Sequence, residues 1–336
     1  MPNYTKRTYL VNGIAILLIF AIIYSLVTFK VVSAYFGGIA ILTCIMIIMA
    51  LSLNIVAGFL GEMALGHAGF MAIGAYTGAS VSIALANATG DGVPDLIMLV
   101  ISCLVGGVVA GLAGIAIGTP SLRLRGDYLG IVTIGFAEII RIFFVNFEPT
   151  GGSLGLKGIP RIASLGYAFW FMVAVAVLIY TFGRSKYGRA IMSIREDEIA
   201  AEASGIPTTK VKVLAFTVSS FFAGIGGALY AHYQGYIDPN KFQFMFSIEM
   251  FVICVLGGLG SLTGSILSAI ILTVLPELLR EFSQYRLLVY SLALVIMMIF
   301  RPQGMLGRYE FSLTRFIRSL SQRMKKDEDS LKGGQF

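Results

Sequence analysis

The sequence predicts an all-α protein, a polytopic transmembrane helix bundle of about 8 to 10 spans with glycine-broken helices and with the amino and carboxyl termini in the cytoplasm. Composition is the first observation: 57% of the 336 residues are hydrophobic and only 13% are charged, against roughly 25% charged in soluble domains. The hydrophobic residues also form long runs, and a helix crosses a bilayer with about 20 of them. The basic residues gather in a few loops between these runs. A soluble domain is therefore excluded.

Ten apolar runs are interpreted as spans. The stretch 247–280 would make a helix of about 51 Å, too long for one crossing, so it is divided at the glycine-rich sequence Gly257–Ser261. The predicted spans are then residues 13–29, 38–58, 69–88, 96–118, 129–147, 166–183, 211–233, 247–262, 263–280 and 286–300.

The distribution of lysine and arginine predicts the orientation of the chain in the membrane. With the amino terminus inside and ten crossings, the inner side carries 18 of the 25 lysines and arginines, and positive loops stay on the cytoplasmic side. Residues Val32 to Ala34 resemble a signal-peptidase site, which leaves a cleaved signal as the alternative for the first run. The predicted membrane domain covers 1–308, with a cytoplasmic loop at 184–210. A basic cytoplasmic tail at 309–336 suits a lipid surface.

Several kinds of chemistry are not indicated. Cys44, Cys103 and Cys254 lie far apart in apolar runs, and His67 and His232 are isolated, so no metal or haem site is predicted. The sequence has no phosphate-binding G-x-x-x-x-G-K-[ST] loop and no cytoplasmic segment large enough for a nucleotide-binding domain. The net charge of +7 belongs to membrane-flanking loops rather than to a nucleic-acid site. We predict no catalytic residues and no cofactor in this chain.

The cytoplasmic loop carries the most informative pattern. Helix formers run from Glu196 to Ala203, acids concentrate in the first turn, and Gly205 followed by Pro207 ends the segment. This predicts a short rigid helix with Ile194, Ile199 and Ala203 on its apolar side, able to contact another protein and transmit motion. A solvated helical linker is the alternative. The predicted contact residues are Gly188, Arg189, Arg195, Glu196, Asp197, Glu198, Ala200, Ala201, Glu202 and Gly205.

A second pattern lies between Asn54 and Tyr76, where five glycines interrupt an apolar run. Broken backbone at membrane depth is stable only when protein buries it or when it faces a watery cavity. We interpret the region as the lining or gate of a pathway, with tight helix packing as the alternative. The candidate residues are Asn54, Gly61, Glu62, Gly66, His67, Gly69 and Tyr76, together with Gly257 and Gly260 at the second break.

Two ionisable residues lie inside the fifth predicted span. Glu138 and Arg141 are three residues apart, close enough on a helix to pair and partly neutralise each other. Structural pairing is favoured over contact with a transported solute.

Five segments together resemble a known family. Gly188–Gly205 is similar to the cytoplasmic coupling loop, related to the "EAA" motif, of ATP-binding-cassette importer permeases. More narrowly, the sequence resembles the LivM-type permease subunit of branched-chain amino acid importers over about residues 40–308. The other segments are Gly61–Tyr76 (GEMALGHAGFMAIGAY), Leu122–Leu129 with Glu138–Arg141, Gly151–Pro160 (GGSLGLKGIP), and Gly257–Gly264 (GGLGSLTG) followed by Phe300–Gly304 (FRPQG).

The resemblance implies an assembly in the plasma membrane of a prokaryote. Its partners would be a sister permease subunit, two cytoplasmic ATPase subunits that hold ATP and magnesium, and an extracytoplasmic substrate-binding protein. The loop Gly188–Gly205 would dock into an ATPase, whose closure on ATP would reorient the spans. The expected cargo is leucine, isoleucine and valine.

Rival functions remain open from the sequence. Related permeases with the same motifs would carry urea, short amides or another small solute. A stand-alone channel or ion-coupled carrier would need selectivity rings or buried ion ligands, which are scarce here. A membrane enzyme would need acids, histidines or nucleophiles clustered at one depth, and the sequence shows no such cluster.

Overall fold

The computed structural model describes residues 34–89, 92–121, 127–279 and 304–307, together with isolated residues within 17–24 and 291–300. The chain divides into two compact units, Met1–Phe36 with Glu310–Phe336, and Gly37–Tyr309. The second unit is the one described below. The predicted spans 13–29 and 286–300 lie almost wholly outside the described residues, and the predicted tail 309–336 lies wholly outside them.

The described residues form helices joined by short connections, with no strand and a single bridge between Leu156 and Ile237. A π-helical segment, Ile55–Leu60, continues the first helix, and short 3-10 turns occupy Glu148–Thr150, Gly152–Leu154 and Pro239–Phe242. The α-helices are α1 (Ala34–Asn54), α2 (His67–Thr89), α3 (Asp95–Ser121), α4 (Asp127–Asn146), α5 (Leu165–Arg184), α6 (Lys186–Glu196), α7 (Glu198–Ala203), α8 (Thr208–Gln234), α9 (Phe244–Gly257) and α10 (Leu262–Leu278).

Six of the predicted spans are confirmed as helices long and apolar enough to cross a membrane. They cover Tyr35–Leu60, His67–Thr89, Asp95–Ser121, Tyr128–Asn146, Leu165–Arg184 and Thr208–Gln234. Each corresponds to one of the apolar runs from 38–58 to 211–233. A count of eight to ten crossings and the cytoplasmic position of both termini stay predictions.

The stretch 247–280 contains the predicted break, but its two helices are short. Helix α9 ends at Gly257 and α10 begins at Leu262. The two helices run antiparallel, because the Ser268 hydroxyl donates to the carbonyl of Ile253 at 2.6 Å while Gly257 lies against Gly264 near the break. With 14 and 17 residues they are about 21 and 26 Å long, less than the roughly 30 Å hydrocarbon core. Length alone does not make either of them a full span.

The centre of the unit is a close crossing of α2, α3 and α8. Small residues allow backbones in membrane bundles to approach closely. A Cβ atom added to Gly74 of α2 would collide with the backbone of Gly224 of α8, and one added to Gly106 of α3 would lie 2.7 Å from the carbonyl oxygen of Gly74. These glycines therefore set the distance between the three central helices.

Replacing Gly74 by leucine is expected to prevent folding, because the side chain has no room at the crossing. The matched control is Gly135→Ala in the middle of α4, where an added Cβ meets nothing within 4 Å. Alanine there is expected to stabilise the helix by about 1 kcal/mol. Thermal unfolding of the purified subunit in detergent measures both changes. Equal melting behaviour of the two variants would contradict the close crossing.

Candidate coupling site

The loop at 184–210, predicted to be cytoplasmic, folds as two helices rather than one. Ser185 begins α6, its hydroxyl accepting the amide of Gly188, and Asp197 begins α7, its carboxylate accepting the amides of Ile199 and Ala200. The predicted single helix from Glu196 to Ala203 is therefore wrong in its start. Asp197 takes an extended conformation as an N-cap, because a capping carboxylate satisfies first-turn amides that have no partner within the helix. Helix α7 ends near Gly205, which has a φ of +82°.

Arg195, at the end of α6, fastens this loop to the first break in the membrane helices. Its Nη1 donates to the carbonyl of Gly58 at 2.6 Å, and its Nη2 pairs with Glu196 at 2.7 Å. Two glycines with positive φ make room for the side chain: a Cβ on Gly61 would lie 2.5 Å from Arg195 Cγ, and one on Gly260 would lie 3.0 Å from its Nη1. Arg195 therefore touches both breaks at once.

Lys212, in the first turns of α8, joins the loop to the segment after the first break. Its Nζ lies 3.0 Å from Glu62 Oε1 and 2.9 Å from Glu198 Oε1. Its side chain is only 4% exposed. One buried ammonium thus holds a carboxylate of the membrane domain and a carboxylate at the start of α7.

Asn54 connects the two breaks directly. Its side-chain nitrogen donates to the carbonyl of Ser261 and to the Ser265 hydroxyl, each at 3.1 Å, and its side-chain oxygen accepts the amide of Gly260 at 2.9 Å. Asn54 is fully buried. A single amide side chain therefore supplies three hydrogen bonds across the join.

The segment after the first break is also held by hydrogen bonds. His67 Nε2 lies 2.7 Å from the Ser52 hydroxyl, and the amide of Leu65 donates to the Thr133 hydroxyl at 3.0 Å. Two predicted glycines make close approaches in this region: a Cβ on Gly66 would collide with the carbonyl of Thr133, and one on Gly69 would lie 3.0 Å from Ala137 of α4. These contacts favour the packing alternative for this stretch in the described conformation, and a gating role stays a prediction.

The remaining loop residues fall into a buried group and an exposed group. Ala201 and Gly188 are buried, whereas Arg189, Ala200 and Glu202 are exposed, with Arg189 Nη1 donating to the carbonyl of Arg184 at 2.7 Å. Ile199 protrudes, 78% exposed. Ile194 is buried, so it does not share an exposed apolar side with Ile199 and Ala203.

Three predicted residues lie away from this inner cluster. Tyr76 is buried with its ring stacked on Phe144 at 4.0 Å between centroids. Glu138 and Arg141 form the predicted ion pair, with 2.7 Å between Arg141 Nε and Glu138 Oε2. The structure therefore brings Asn54, Gly61, Glu62 and Gly260 together with the loop, and it places Tyr76 and the ion pair elsewhere.

Sequence reasoning missed the residues that link distant segments. Lys212 lies at the edge of the seventh predicted span and contributes only to the charge count, and its neighbours in the sequence do not identify Glu62 and Glu198 as its partners. Beyond the second break, the amide of Met305 donates to the carbonyl of Leu256 at 2.7 Å. Met305 follows the FRPQG segment directly, so this hydrogen bond joins the chain after that segment to the end of α9.

The arrangement is a mechanical junction. Arg195 and Lys212 tie the exposed loop helix to two helix breaks, and Asn54 ties those breaks to each other. Among the described residues no group of three or more histidines, cysteines, aspartates or glutamates is placed to hold a metal ion. Fold and site together define a multi-pass membrane protein in which the loop between α5 and α8 is attached to two breaks in the membrane helices.

The chain belongs to the family of branched-chain amino acid transport system permease components, whose profile matches residues 35–301. It is 40% identical over 303 residues to the high-affinity branched-chain amino acid transport system permease protein LivM of Salmonella typhimurium, covering 80% of this chain and 69% of that protein. The LivM protein of Escherichia coli K12 is similar to the same extent, with 40% identity over 304 residues.

More distant relatives show the same kind of protein. The high-affinity branched-chain amino acid transport system permease protein LivH of Escherichia coli K12 is 27% identical over 285 residues, covering 78% of this chain and 91% of LivH. A probable LivM of Methanocaldococcus jannaschii is 24% identical over 257 residues, covering 69% of this chain and 74% of that protein. No solved structure matches the chain.

Proposed function

We propose that this chain is the membrane-spanning permease subunit of an ATP-driven importer for leucine, isoleucine and valine. The relatives are named as permease proteins of high-affinity branched-chain amino acid transport systems. The observation that carries the mechanism is the fastening of the loop helix by Arg195 and Lys212 to the breaks in the membrane helices. ATP hydrolysis takes place in partner subunits, and this subunit is not an enzyme.

In this proposal α7 is the coupling helix. Its outer surface carries Ile199 and Ala200 toward the cytoplasmic ATPase, while its inner surface is held by Lys212. A motor changes the state of a permease only when the two states make different contacts with it. Closure of the ATPase pair would displace α7, and Arg195 would pass that displacement to the backbone at Gly58 and, through Asn54, to the second break.

The assembly comprises a sister permease, two ATPase subunits and an extracytoplasmic substrate-binding protein in a prokaryotic plasma membrane. Its test is reconstitution of all components in proteoliposomes loaded with ATP. We expect uptake of leucine that requires ATP and the binding protein. Uptake without the ATPase subunits would instead indicate an autonomous carrier.

The alternative cargoes are urea, short amides or another small solute carried by the same architecture. Competition separates them: unlabelled isoleucine and valine should reduce leucine uptake, whereas urea and acetamide should not. Uptake of labelled urea with no uptake of leucine would reverse the assignment of the cargo.

Replacing Ile199 by aspartate is expected to weaken ATPase association at least about tenfold, because the side chain is 78% exposed and would be buried on docking. Co-purification of the ATPase subunits from gently solubilised membranes measures the change. The matched control is Leu154→Asp, an equally exposed apolar residue in the connection between α4 and α5, which should leave association unchanged. Equal association of the Ile199→Asp and wild-type proteins would exclude α7 as the docking helix.

A further inference from the structure

A charged residue lies on an outward-facing stripe of α4. Ile131, Gly135, Glu138 and Ile142 are spaced by four, three and four residues, which places them on one helix face. The three uncharged members are exposed, and the Glu138 side chain keeps 31% of its surface exposed. An added Cβ on Gly135 would meet nothing within 4 Å. Ile131, Gly135 and Ile142 therefore face away from the described part of the chain, and Glu138 lies at the edge of this exposed face.

The depth of the stripe makes lipid a poor neighbour. Glu138 lies within the candidate span Tyr128–Asn146, eight residues or about 12 Å before the end of the helix. A charged side chain that faces lipid near the centre of a span is unfavourable. Such residues consequently face protein or a water-filled cavity.

Irregular backbone reaches the same depth. Arg141 Nη1 donates to Asn240 Oδ1 at 3.3 Å, and the amide of Phe244, at the start of α9, donates to Glu138 Oε1 at 3.3 Å. Backbone that is not helical at membrane depth is buried by protein or lines a watery cavity. Asn240 and Met245 are exposed, so the described residues do not bury this turn.

The chemistry of the pair matches an amino acid. A free amino acid carries one ammonium and one carboxylate group at neutral pH. The Arg141 guanidinium is a planar donor suited to a carboxylate, while Glu138 and the Asn240 carbonyl oxygen accept hydrogen bonds from an ammonium. In the structure Glu138 and Arg141 pair with each other at 2.7 Å.

We infer that Glu138 and Arg141 form a transient binding site for the charged ends of the amino acid cargo within the membrane. The inference rests on the proposed function. Binding of the amino acid replaces the ion pair between Glu138 and Arg141 by two ion pairs with the amino acid. The net binding free energy is therefore small, and the amino acid dissociates fast. Ile142 and Met245 offer apolar surface beside the pair for a branched side chain.

The first test is the reactivity of a cysteine at Gly135, measured on the complex with its partner subunits in lipid nanodiscs without the binding protein. A charged methanethiosulfonate reagent should modify Gly135→Cys, and leucine should slow the reaction. The matched control is Val108→Cys, an exposed apolar position in the middle of α3, which should react slowly and without protection. Cys44, Cys103 and Cys254 of this chain are buried, and the complex without the added cysteine measures the background from the partner subunits.

Ligand analogues assign the two charges. Leucine should protect Gly135→Cys at about tenfold lower concentration than leucinamide, which lacks the carboxylate, or 4-methylpentanoate, which lacks the amine. Adding Glu138→Gln should remove the advantage of leucine over 4-methylpentanoate, and adding Arg141→Gln should remove its advantage over leucinamide. A purely structural role of the pair would not make each substitution change the response to a different analogue. The two variants therefore distinguish ligand contact from a structural role.

Two results would overturn the inference: modification of Gly135→Cys no faster than that of Val108→Cys, or fast modification that leucine does not slow. The outcome is separable from that of the proposed function. A wild-type complex that imports leucine with ATP, while Gly135→Cys shows no protection, removes this site and leaves the importer assignment intact.

Discussion

Replacing Lys212 by methionine is expected to abolish ATP-driven uptake in reconstituted vesicles. Methionine keeps an apolar stem but removes the ammonium, which leaves the carboxylates of Glu62 and Glu198 facing each other in a mostly buried position. Removing one partner of a buried ion pair costs about 3–5 kcal/mol, toward the lower value here because Glu198 stays partly exposed. In the proposed mechanism α7 then loses its attachment to the membrane helices, so movement of the ATPase no longer reaches them.

The measurement compares leucine uptake with ATP hydrolysis in the same vesicles. Lys212→Met should still assemble and hydrolyse ATP without uptake, which a general loss of folding would not produce. Lys212→Arg should retain most uptake because it keeps the charge. Combining Lys212→Met with Glu62→Gln should soften the defect by removing one of the opposed carboxylates. Wild-type uptake by Lys212→Met would show that the ammonium does not transmit the movement.

Replacing Asn54 by leucine is expected to lower the stability of the subunit by about 1–3 kcal/mol. Leucine has the same branching pattern but leaves the amide of Gly260 without its acceptor, whereas the carbonyl of Ser261 still accepts from the amide and the hydroxyl of Ser265. Thermal unfolding in detergent measures the change.

Asn54→Asp is the matched variant. Aspartate keeps the acceptor for the amide of Gly260 but loses the donor to Ser261 and Ser265, so its unfolding temperature should lie below that of the wild type. Hydrogen exchange at Gly260 should be fast in the leucine variant and slower in the aspartate variant. Protection of Gly260 that is unchanged in both variants would contradict the bridging role of Asn54.

The parts that could be predicted from the sequence are those with local causes. An apolar run long enough to span a bilayer can be recognised from the local sequence alone. Six of the predicted runs are helices long and apolar enough to cross a membrane. The break at Gly257–Ser261 and the pairing of Glu138 with Arg141 also depend on neighbours a few residues away. Local composition and helical spacing are enough for such features.

The loop residues of the proposed coupling site could be predicted from the sequence. Their contacts with the membrane helices could not, because these contacts join residues that are far apart in the chain. Lys212 and Glu62 lie 150 residues apart, and no local pattern marks them as a pair. The start of α7 was misplaced because acids in a first turn and an acid at the N-cap look alike in the sequence. Only the extended backbone of Asp197 distinguishes the two.

Helix lengths in this unit do not fit a single bilayer thickness. At 27 residues each, α3 and α8 are about 40 Å long, and helices longer than the hydrocarbon layer tilt or thicken it. Helices α9 and α10 are shorter than that layer. Longer acyl chains are therefore expected to suit α3 and α8, whereas shorter ones would suit α9 and α10 only where these helices cross the bilayer.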